Sequence, residues 1–149
     1  AGVKLVVAGT IDKIESTDLD YYKDEVKPLI DGKQIIYVGE LAVEKKNELY
    51  SQAKGFLNPI QWNEPFGLVM TEAMAAGTPV IAFRNGAAPE IIEDGINGYL
   101  VDSLDEMVEK IKNIALIDRL RCRKRVEDLF TAEKMVEGYY QIYKKILNL

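Results

Sequence analysis

The sequence predicts an α/β fold, a doubly wound parallel sheet of about five strands followed by a helical C-terminus. Short apolar runs of strand length alternate with stretches of helical periodicity over the first two thirds of the chain. This alternation is typical of parallel sheets with right-handed crossovers. Beyond residue 103 the pattern is helical throughout. The chain has 149 residues, of which 48% are hydrophobic, so it is large enough to bury a core.

Five apolar runs have the length and composition of buried strands. They cover residues 3–9, 34–39, 55–60, 79–83 and 98–101. A proline opens the fourth run, which is a position that a strand tolerates. A polar loop is predicted over residues 10–17. Because ligands of doubly wound sheets bind beyond the carboxyl ends of the strands, the loop after residue 60 is the predicted place for a site.

Helical stretches separate and follow these strands. They cover residues 21–26, 40–54, 68–76, 89–93, 104–114, 119–130 and 132–147. Gly77 is a natural stop for the third of these helices, and Pro79 prevents its continuation. Ser103, with Glu106 three residues later, predicts a capping box at the start of the fifth helix. Thr131 is the predicted cap of the last helix.

Glu72 is the unusual residue of the third helix. Nearly every other residue of this helix is apolar or small, so the helix is predicted to be buried on most sides. A carboxylate in such a place must be hydrogen-bonded or paired. A ligand diol would satisfy it, and so would a Lys or Arg from elsewhere in the chain. Glu64, in the preceding loop, could face the same ligand, whose phosphates would meet the free amides around Gly67.

The residues around these two glutamates resemble a known signature. Residues 64–82 follow the pattern E-P-F-G-L-x-x-x-E-A-M-A-x-G-x-P-V-I-A. This pattern is similar to the donor-site signature of retaining glycosyltransferases of the GT-B fold, and more narrowly of family four, the sucrose-synthase and mannosyltransferase-like group. Residues 85–92 resemble that family's G-G-x-x-E-[IV] loop, and residues 94–101 resemble its D-G-x-x-G-x-L-V segment. The likeness covers most of the chain and is loose in the C-terminal helices.

The resemblance implies the Rossmann-like half of a GT-B fold, which binds a UDP-sugar or GDP-sugar and needs no metal or other cofactor. In that family, residues at the positions of Glu64 and Glu72 contact the transferred sugar and the ribose hydroxyls respectively. Glu64 is therefore the predicted catalytic residue, since it would stabilise charge at the anomeric carbon, and Glu72 is a predicted donor-binding residue. The other predicted donor-binding residues are Phe66, Gly67 and Leu68 through their amides, Gly86 and Ala87 beside the pocket, and Gly39, Glu40 and Leu41 against the nucleobase.

The resemblance also implies that residues 1–149 form a single donor-binding domain. Family members hold the acceptor in an N-terminal domain, and their donor domain opens with a further strand and helix whose loop supplies an Arg and a Lys to the diphosphate. Neither part is recognisable in this sequence, so we expect a fragment with little or no turnover of its own. Closing the gap left by the lost strand predicts the strand order 2-1-3-4-5.

Composition limits the other classes of function. A net charge of −5 and a pI of about 4.9 argue against a nucleic-acid partner. The absence of histidine excludes Ser-His-Asp chemistry and most zinc sites. Cys122 is the single cysteine, so no internal disulfide can form and a cytoplasmic location is expected. Asp18 and Asp20 match a metal-binding D-x-D pattern, but acids at the start of a helical stretch are ordinary.

Several alternatives remain at this level. The chain could be a non-catalytic nucleotide-sugar binding domain or part of a nucleotide-sugar epimerase, although the epimerase chemistry generally needs histidine or further carboxylates. Trp62 could pack on a sugar, but a lid over the core is the commoner role. A solvated helix face is the favoured interpretation of the basic cluster, and peripheral contact with anionic lipid is the other. The cluster consists of Arg119, Arg121, Arg123, Lys124 and Arg125.

Overall fold

The computed structural model describes residues 2–11 and 16–148. The chain divides into two compact units, Ala1–Lys46 and Asn47–Leu149. Of the predicted loop over residues 10–17, residues 12–15 lie outside the described part of the chain, and the last two residues are already helical. Each unit is an α/β arrangement with parallel strands, so the predicted fold class is confirmed.

The first unit contains two parallel strands. β1 (Leu5–Ala8) pairs with β2 (Ile35–Gly39), with Leu5 opposite Ile35 and Val7 opposite Tyr37. Between them lies α1 (Ser16–Tyr21), which continues as a wide π-helical turn and then a 3₁₀ turn that ends at Leu29. No residue of β1 is buried, so the prediction of a buried first strand is wrong. With one strand partner only, β1 has an open edge among the described residues.

Asp31 organises the turn that leads into β2. Its Oδ1 atom accepts hydrogen bonds from the backbone N–H groups of Lys33, Gln34 and Ile35, at 2.8, 2.8 and 2.9 Å. These bonds favour the ionised form and hold the pKa of Asp31 below its usual value of 3.8. The turn is therefore built around a charged carboxylate.

Replacing Asp31 by alanine is expected to destabilise the first unit in a pH-dependent way. The stabilisation is fully present above the unfolded-state pKa of the carboxyl and is lost as the pH falls through its lower folded-state pKa. Urea denaturation of wild-type and Asp31→Ala protein between about pH 7 and pH 2 measures the difference. The difference in unfolding free energy between wild type and Asp31→Ala should disappear at acid pH. At neutral pH the exposed Glu25→Ala control should differ less from wild type than Asp31→Ala does. A difference independent of pH would contradict this account.

The second unit contains a three-stranded parallel sheet. α2 (Val43–Gln52) leads into it from the first unit, and the strands are β3 (Phe56–Asn58), β4 (Val80–Phe83) and β5 (Gly98–Val101). β4 is the central strand, and all four of its residues are buried. Phe56 lies opposite Val80, which lies opposite Gly98. The helices that connect these strands are α3 (Leu68–Ala75) and α4 (Ala88–Ile91).

Three helices complete the second unit, as predicted. They are α5 (Leu104–Asn113), α6 (Arg119–Leu129) and α7 (Ala132–Leu147). Ser103 Oγ accepts a hydrogen bond from the N–H of Glu106 at 3.2 Å, which confirms the predicted cap of α5. The Glu106 carboxylate in return accepts the N–H of Asp102 at 2.8 Å, one residue before the position a standard capping box uses. Thr131 caps α7 as predicted.

The five strands form two sheets, of two and three strands. The order 2-1-3-4-5 requires β1 to pair with β3, and within the described residues β1 pairs with β2 and β3 with β4. The predicted closure into one sheet is therefore wrong. β3 is only three residues long, so a second ladder along it would supply few hydrogen bonds to offset the ordering of both strands.

The basic cluster of α6 is mostly engaged within the second unit. Arg119 donates to the carbonyls of Ala53 and Ser51 at 2.7 and 2.9 Å, and Arg125 donates to the carbonyl of Glu90 at 2.9 Å. Arg123 and Lys124 form ion pairs one helical turn away, with Glu127 and Asp128. These contacts favour the solvated helix face over a lipid-binding patch. No helix among the described residues has the length and hydrophobicity needed to cross a membrane.

Cys122 is fully buried on α6. Its thiol donates to the carbonyl of Asn97, with Sγ and O 3.2 Å apart. Burial raises the pKa of the Cys122 thiol to about 11, because the thiolate would be poorly solvated there. The thiol is therefore neutral and shielded in the folded protein.

Cys122 is expected to resist thiol reagents in the folded protein, because the thiolate is the nucleophile and its formation is disfavoured. Ellman's reagent at about pH 8 should give less than about a tenth of an equivalent of fast reaction with native protein. One equivalent should react in guanidinium chloride, since the chain has one cysteine. Fast stoichiometric labelling of the native protein would contradict the burial described here.

Candidate functional site

α3 begins and ends where the sequence predicts. Gly67 precedes it in the left-handed conformation, with φ of 80°, and this residue has no side chain to cap the first turn. At the other end Gly77 donates to the carbonyl of Met74 at 2.8 Å, and Thr78 donates to that of Ala73 at 2.9 Å. This pair of bonds is a Schellman motif. At the start of α3 no side chain of Gly67 caps the first turn, and the N–H of Met70 donates to the carbonyl of Gly67 at 3.0 Å. The amides ahead of Met70 are therefore the ones that a ligand or water could meet.

The burial of α3 is one-sided, unlike the prediction. Met70, Thr71, Ala73 and Met74 are buried, and α3 packs against α6. Leu68 and Val69 are exposed at the start of the helix, so the expectation of burial on most sides is wrong. The exposed start faces away from the core, which is compatible with the predicted role of the Leu68 amide in ligand binding.

The loops after β3 and β4 are joined at Glu64. The N–H of Ala87 donates to the carbonyl of Glu64 at 2.9 Å. Gly86 approaches the same backbone so closely that an added Cβ would overlap the Glu64 carbonyl oxygen and lie 2.9 Å from the carbonyl carbon of Asn63. Glu64, Gly86 and Ala87, three of the predicted site residues, therefore meet at the carboxyl ends of two adjacent strands.

Further contacts hold this junction. The Asn85 side chain donates to the carbonyl of Gln61 at 3.2 Å. A Cβ on Gly67 would lie 3.3 Å from Cγ of Glu64, so Gly67 is a close neighbour of the Glu64 side chain. Phe66 packs edge-on against Phe130 with ring centroids 5.8 Å apart. The predicted residues Glu64, Phe66 and Gly67 thus lie together in the loop that leads into α3.

Glu72 lies more than one turn after the start of α3, as predicted. It is half-buried, with its Oε2 atom buried. Burial, and after it the charge of Glu72, raises the pKa of Tyr50 to about 12. A ligand diol as the partner of Glu72 stays a prediction.

The predicted nucleobase residues belong to the first unit. Gly39 ends β2 with φ of 73°, and its carbonyl accepts the N–H of Gly9 at 2.9 Å. Glu40 is exposed and Leu41 is half-buried.

Among the described residues no group of three or more His, Cys, Asp and Glu side chains is placed to hold a metal ion. Asp18 lies in the first turn of α1.

Two features of the site escape prediction from the sequence. Trp62 is 64% exposed, so it is not a lid over the core, and its Nε1–H donates to Oε2 of Glu64 at 3.2 Å. A second feature is an open cavity of about 380 Å³ beside the junction. It is lined by Gln61, Phe83, Asn85, Asp102, Ser103 and Leu104. The cavity extends the site along the carboxyl edge of the sheet to the end of β5.

Comparison with known families decides what kind of protein this is. Residues 1–136 match the family model described as glycosyl transferases group 1. The chain belongs to this family. The putative glycosyltransferase YtcC of Bacillus subtilis is 30% identical to it over 156 aligned residues, which cover 97% of this chain and 38% of YtcC. A probable sucrose-phosphate synthase of Thermosipho melanesiensis is 32% identical over 117 residues, covering 76% of this chain and 28% of that protein.

Solved structures agree with this assignment. Sucrose-phosphate synthase from Thermosynechococcus elongatus superposes with a TM-score of 0.81 and 28% identity, over 97% of this chain and 39% of that protein. Anabaena Alr3699/HepE in complex with UDP and glucose superposes with a TM-score of 0.76 over 99% of this chain and 41% of that protein, at 22% identity. The chain thus spans well under half of the proteins that it resembles. The fold of the group 1 chain is that of the Rossmann-like half of GT-B glycosyltransferases.

Proposed function

We propose that this chain is the donor-binding part of a retaining glycosyltransferase. It would bind a UDP-sugar or GDP-sugar, and the sugar would pass to an acceptor held by an N-terminal part of the longer protein. The observation that supports this most is the junction of Glu64 with Gly86 and Ala87, because it assembles the two signature loops at one edge of the sheet. That edge is where doubly wound sheets bind nucleotides. Alr3699/HepE, similar in fold, has been crystallised with UDP-glucose.

The proposed mechanism uses charge and backbone amides. The bond between the anomeric carbon and the diphosphate oxygen breaks, and the nucleoside diphosphate leaves with the electron pair. Positive charge develops at the anomeric carbon until the acceptor hydroxyl bonds to it and gives up its proton. The Glu64 carboxylate, held in the loop after β3, stabilises that charge. The amides of Phe66, Gly67 and Leu68, just before and at the start of α3, would donate to the sugar and phosphates. The loop at Gly86 and Ala87 would border them, with the N–H of Ala87 donating to the Glu64 carbonyl. The leaving group would thus meet preorganised donors. No metal or other cofactor takes part in this scheme.

Glu72, in the second unit, is proposed to accept hydrogen bonds from the two ribose hydroxyls. Gly39, Glu40 and Leu41, in the first unit, stay predicted nucleobase contacts. We place the protein in the cytoplasm, where the single buried thiol of Cys122 stays reduced.

The chain alone should turn over little or no donor, since without the acceptor part water enters the site and no acceptor is positioned.

Calorimetric titration of the chain with UDP and with GDP tests this proposal. Saturable binding of one nucleotide is expected, and Glu72→Ala should weaken it by about ten- to hundredfold, because hydrogen bonds to a charged group are lost. Glu93→Ala, an exposed carboxylate of the same unit, is the matched control and should bind as wild type does. If neither nucleotide binds to folded wild-type chain, the proposal is wrong for this chain. Equal affinity of Glu72→Ala and wild type would remove Glu72 from the site.

A further inference from the structure

Trp62 contacts the side chain of Glu64 directly. Its indole Nε1–H donates to Glu64 Oε2 at 3.2 Å. The two residues are also joined through the backbone, where the N–H of Glu64 donates to the carbonyl of Trp62 at 2.9 Å. The ring is 64% exposed, so core packing does not explain the presence of a large aromatic residue at this position.

The hydrogen bond restricts the rotamers of the Glu64 side chain, which is partly exposed. The backbone of Glu64 is fixed by Ala87 and Gly86, and the indole then fixes its carboxylate. An indole N–H is a donor only, so it favours an acceptor, and its bond to a charged oxygen is stronger than a neutral one. Holding both backbone and side chain is what a preorganised charged group requires.

We infer that Trp62 is a positioning residue for Glu64, which aims the carboxylate at the sugar of the donor. The inference rests on the proposed function, in which Glu64 faces the anomeric carbon. Trp62 acts through Glu64 and takes no part in the chemistry itself. It leaves the second carboxylate oxygen, Oε1, available to the ligand, because the indole has a single N–H group.

The contact is observable in the chain itself, since Trp62 is the only tryptophan. A ¹H–¹⁵N correlation spectrum contains one indole N–H signal. Glu64→Ala should move this signal upfield, because the proton loses its bond to a carboxylate, whereas Glu93→Ala should leave it in place. An indole signal that is identical in wild type and Glu64→Ala would overturn the inference.

Kinetics on the full-length protein test the consequence. Trp62→Phe keeps a ring and removes the N–H, so kcat should fall by about ten- to hundredfold while the donor KM changes by less than about twofold. In the Glu64→Ala background the same substitution should have no further effect, because it acts through Glu64. Tyr143→Phe, which alters an exposed aromatic residue of α7, is the control and should match wild type.

The outcomes separate the two proposals. Wild-type protein without transferase activity on either donor class would contradict the proposed function. Active wild type, with Trp62→Phe equal to it in kcat, would overturn only the role of Trp62. A fall in kcat that persists in the Glu64→Ala background would also overturn that role, since Trp62 would then act independently of Glu64.

Discussion

Glu64→Gln is expected to lower kcat for sugar transfer by about a hundredfold in the full-length protein. The substitution keeps the shape of the side chain and removes its negative charge. Deleting one preorganised group that stabilises transition-state charge costs a rate factor of about this size. Since the carboxylate acts mainly in the transition state, the donor KM should change little.

The control for this experiment is Glu93→Gln, which removes an exposed carboxylate from the same unit. Initial rates of donor consumption for the two variants and wild type give the comparison. Circular dichroism and a melting curve verify that the variants are folded. A kcat of Glu64→Gln within about twofold of wild type would remove Glu64 from the catalytic role.

Gly86→Ala should both destabilise the second unit and abolish nucleotide binding. The added Cβ would overlap the backbone of Glu64 and approach that of Asn63, so the loops after β3 and β4 must separate. The backbone at Gly86 also has a φ of 52°, which costs a residue with a Cβ about 1–2 kcal/mol. Adding the overlap, we expect the unfolding free energy to fall by at least about 3 kcal/mol.

Gly95→Ala separates the backbone cost of a positive φ from the cost of the steric overlap. Gly95 has a φ of 75°, and nothing lies within 4 Å of the place where its Cβ would stand. It therefore reports the backbone cost alone, about 1–2 kcal/mol, and should leave nucleotide affinity unchanged. Urea denaturation and calorimetry on both variants measure this difference. If Gly86→Ala were no more destabilised than Gly95→Ala, the close approach of the two loops would be wrong.

Local sequence features predict most elements of this fold. Glycine and proline mark both ends of α3, and Ser103 and Thr131 mark the starts of α5 and α7, because caps and turns depend on residues close in the chain. The pairing of β1 with β3 is the main error in the fold. Such pairing depends on ladder length and on contacts distant in sequence, and no local pattern measures either of these.

The candidate site also combines local features, which the sequence predicts, with contacts that depend on the tertiary structure. Glu64 and Gly86 are recognisable from the motif, but their contact joins residues 22 positions apart and depends on the register of β3 against β4. The bond from Trp62 to Glu64 spans two residues, yet it depends on side-chain rotamers within an irregular loop. The exposure of Leu68 differs from the prediction because composition indicates that a helix is apolar without showing which face meets the core.

The loops after β3 and β4 are proposed to form a single nucleotide-sugar site, on which the mechanism depends. Backbone ¹H–¹⁵N spectra of the chain during titration with UDP and with GDP test it most directly. We predict saturable shifts, with one nucleotide, of the amides of Phe66, Gly67, Leu68, Gly86 and Ala87, while those of α7 stay in place. Saturable shifts confined to other parts of the chain, or no shift with either nucleotide, would contradict it.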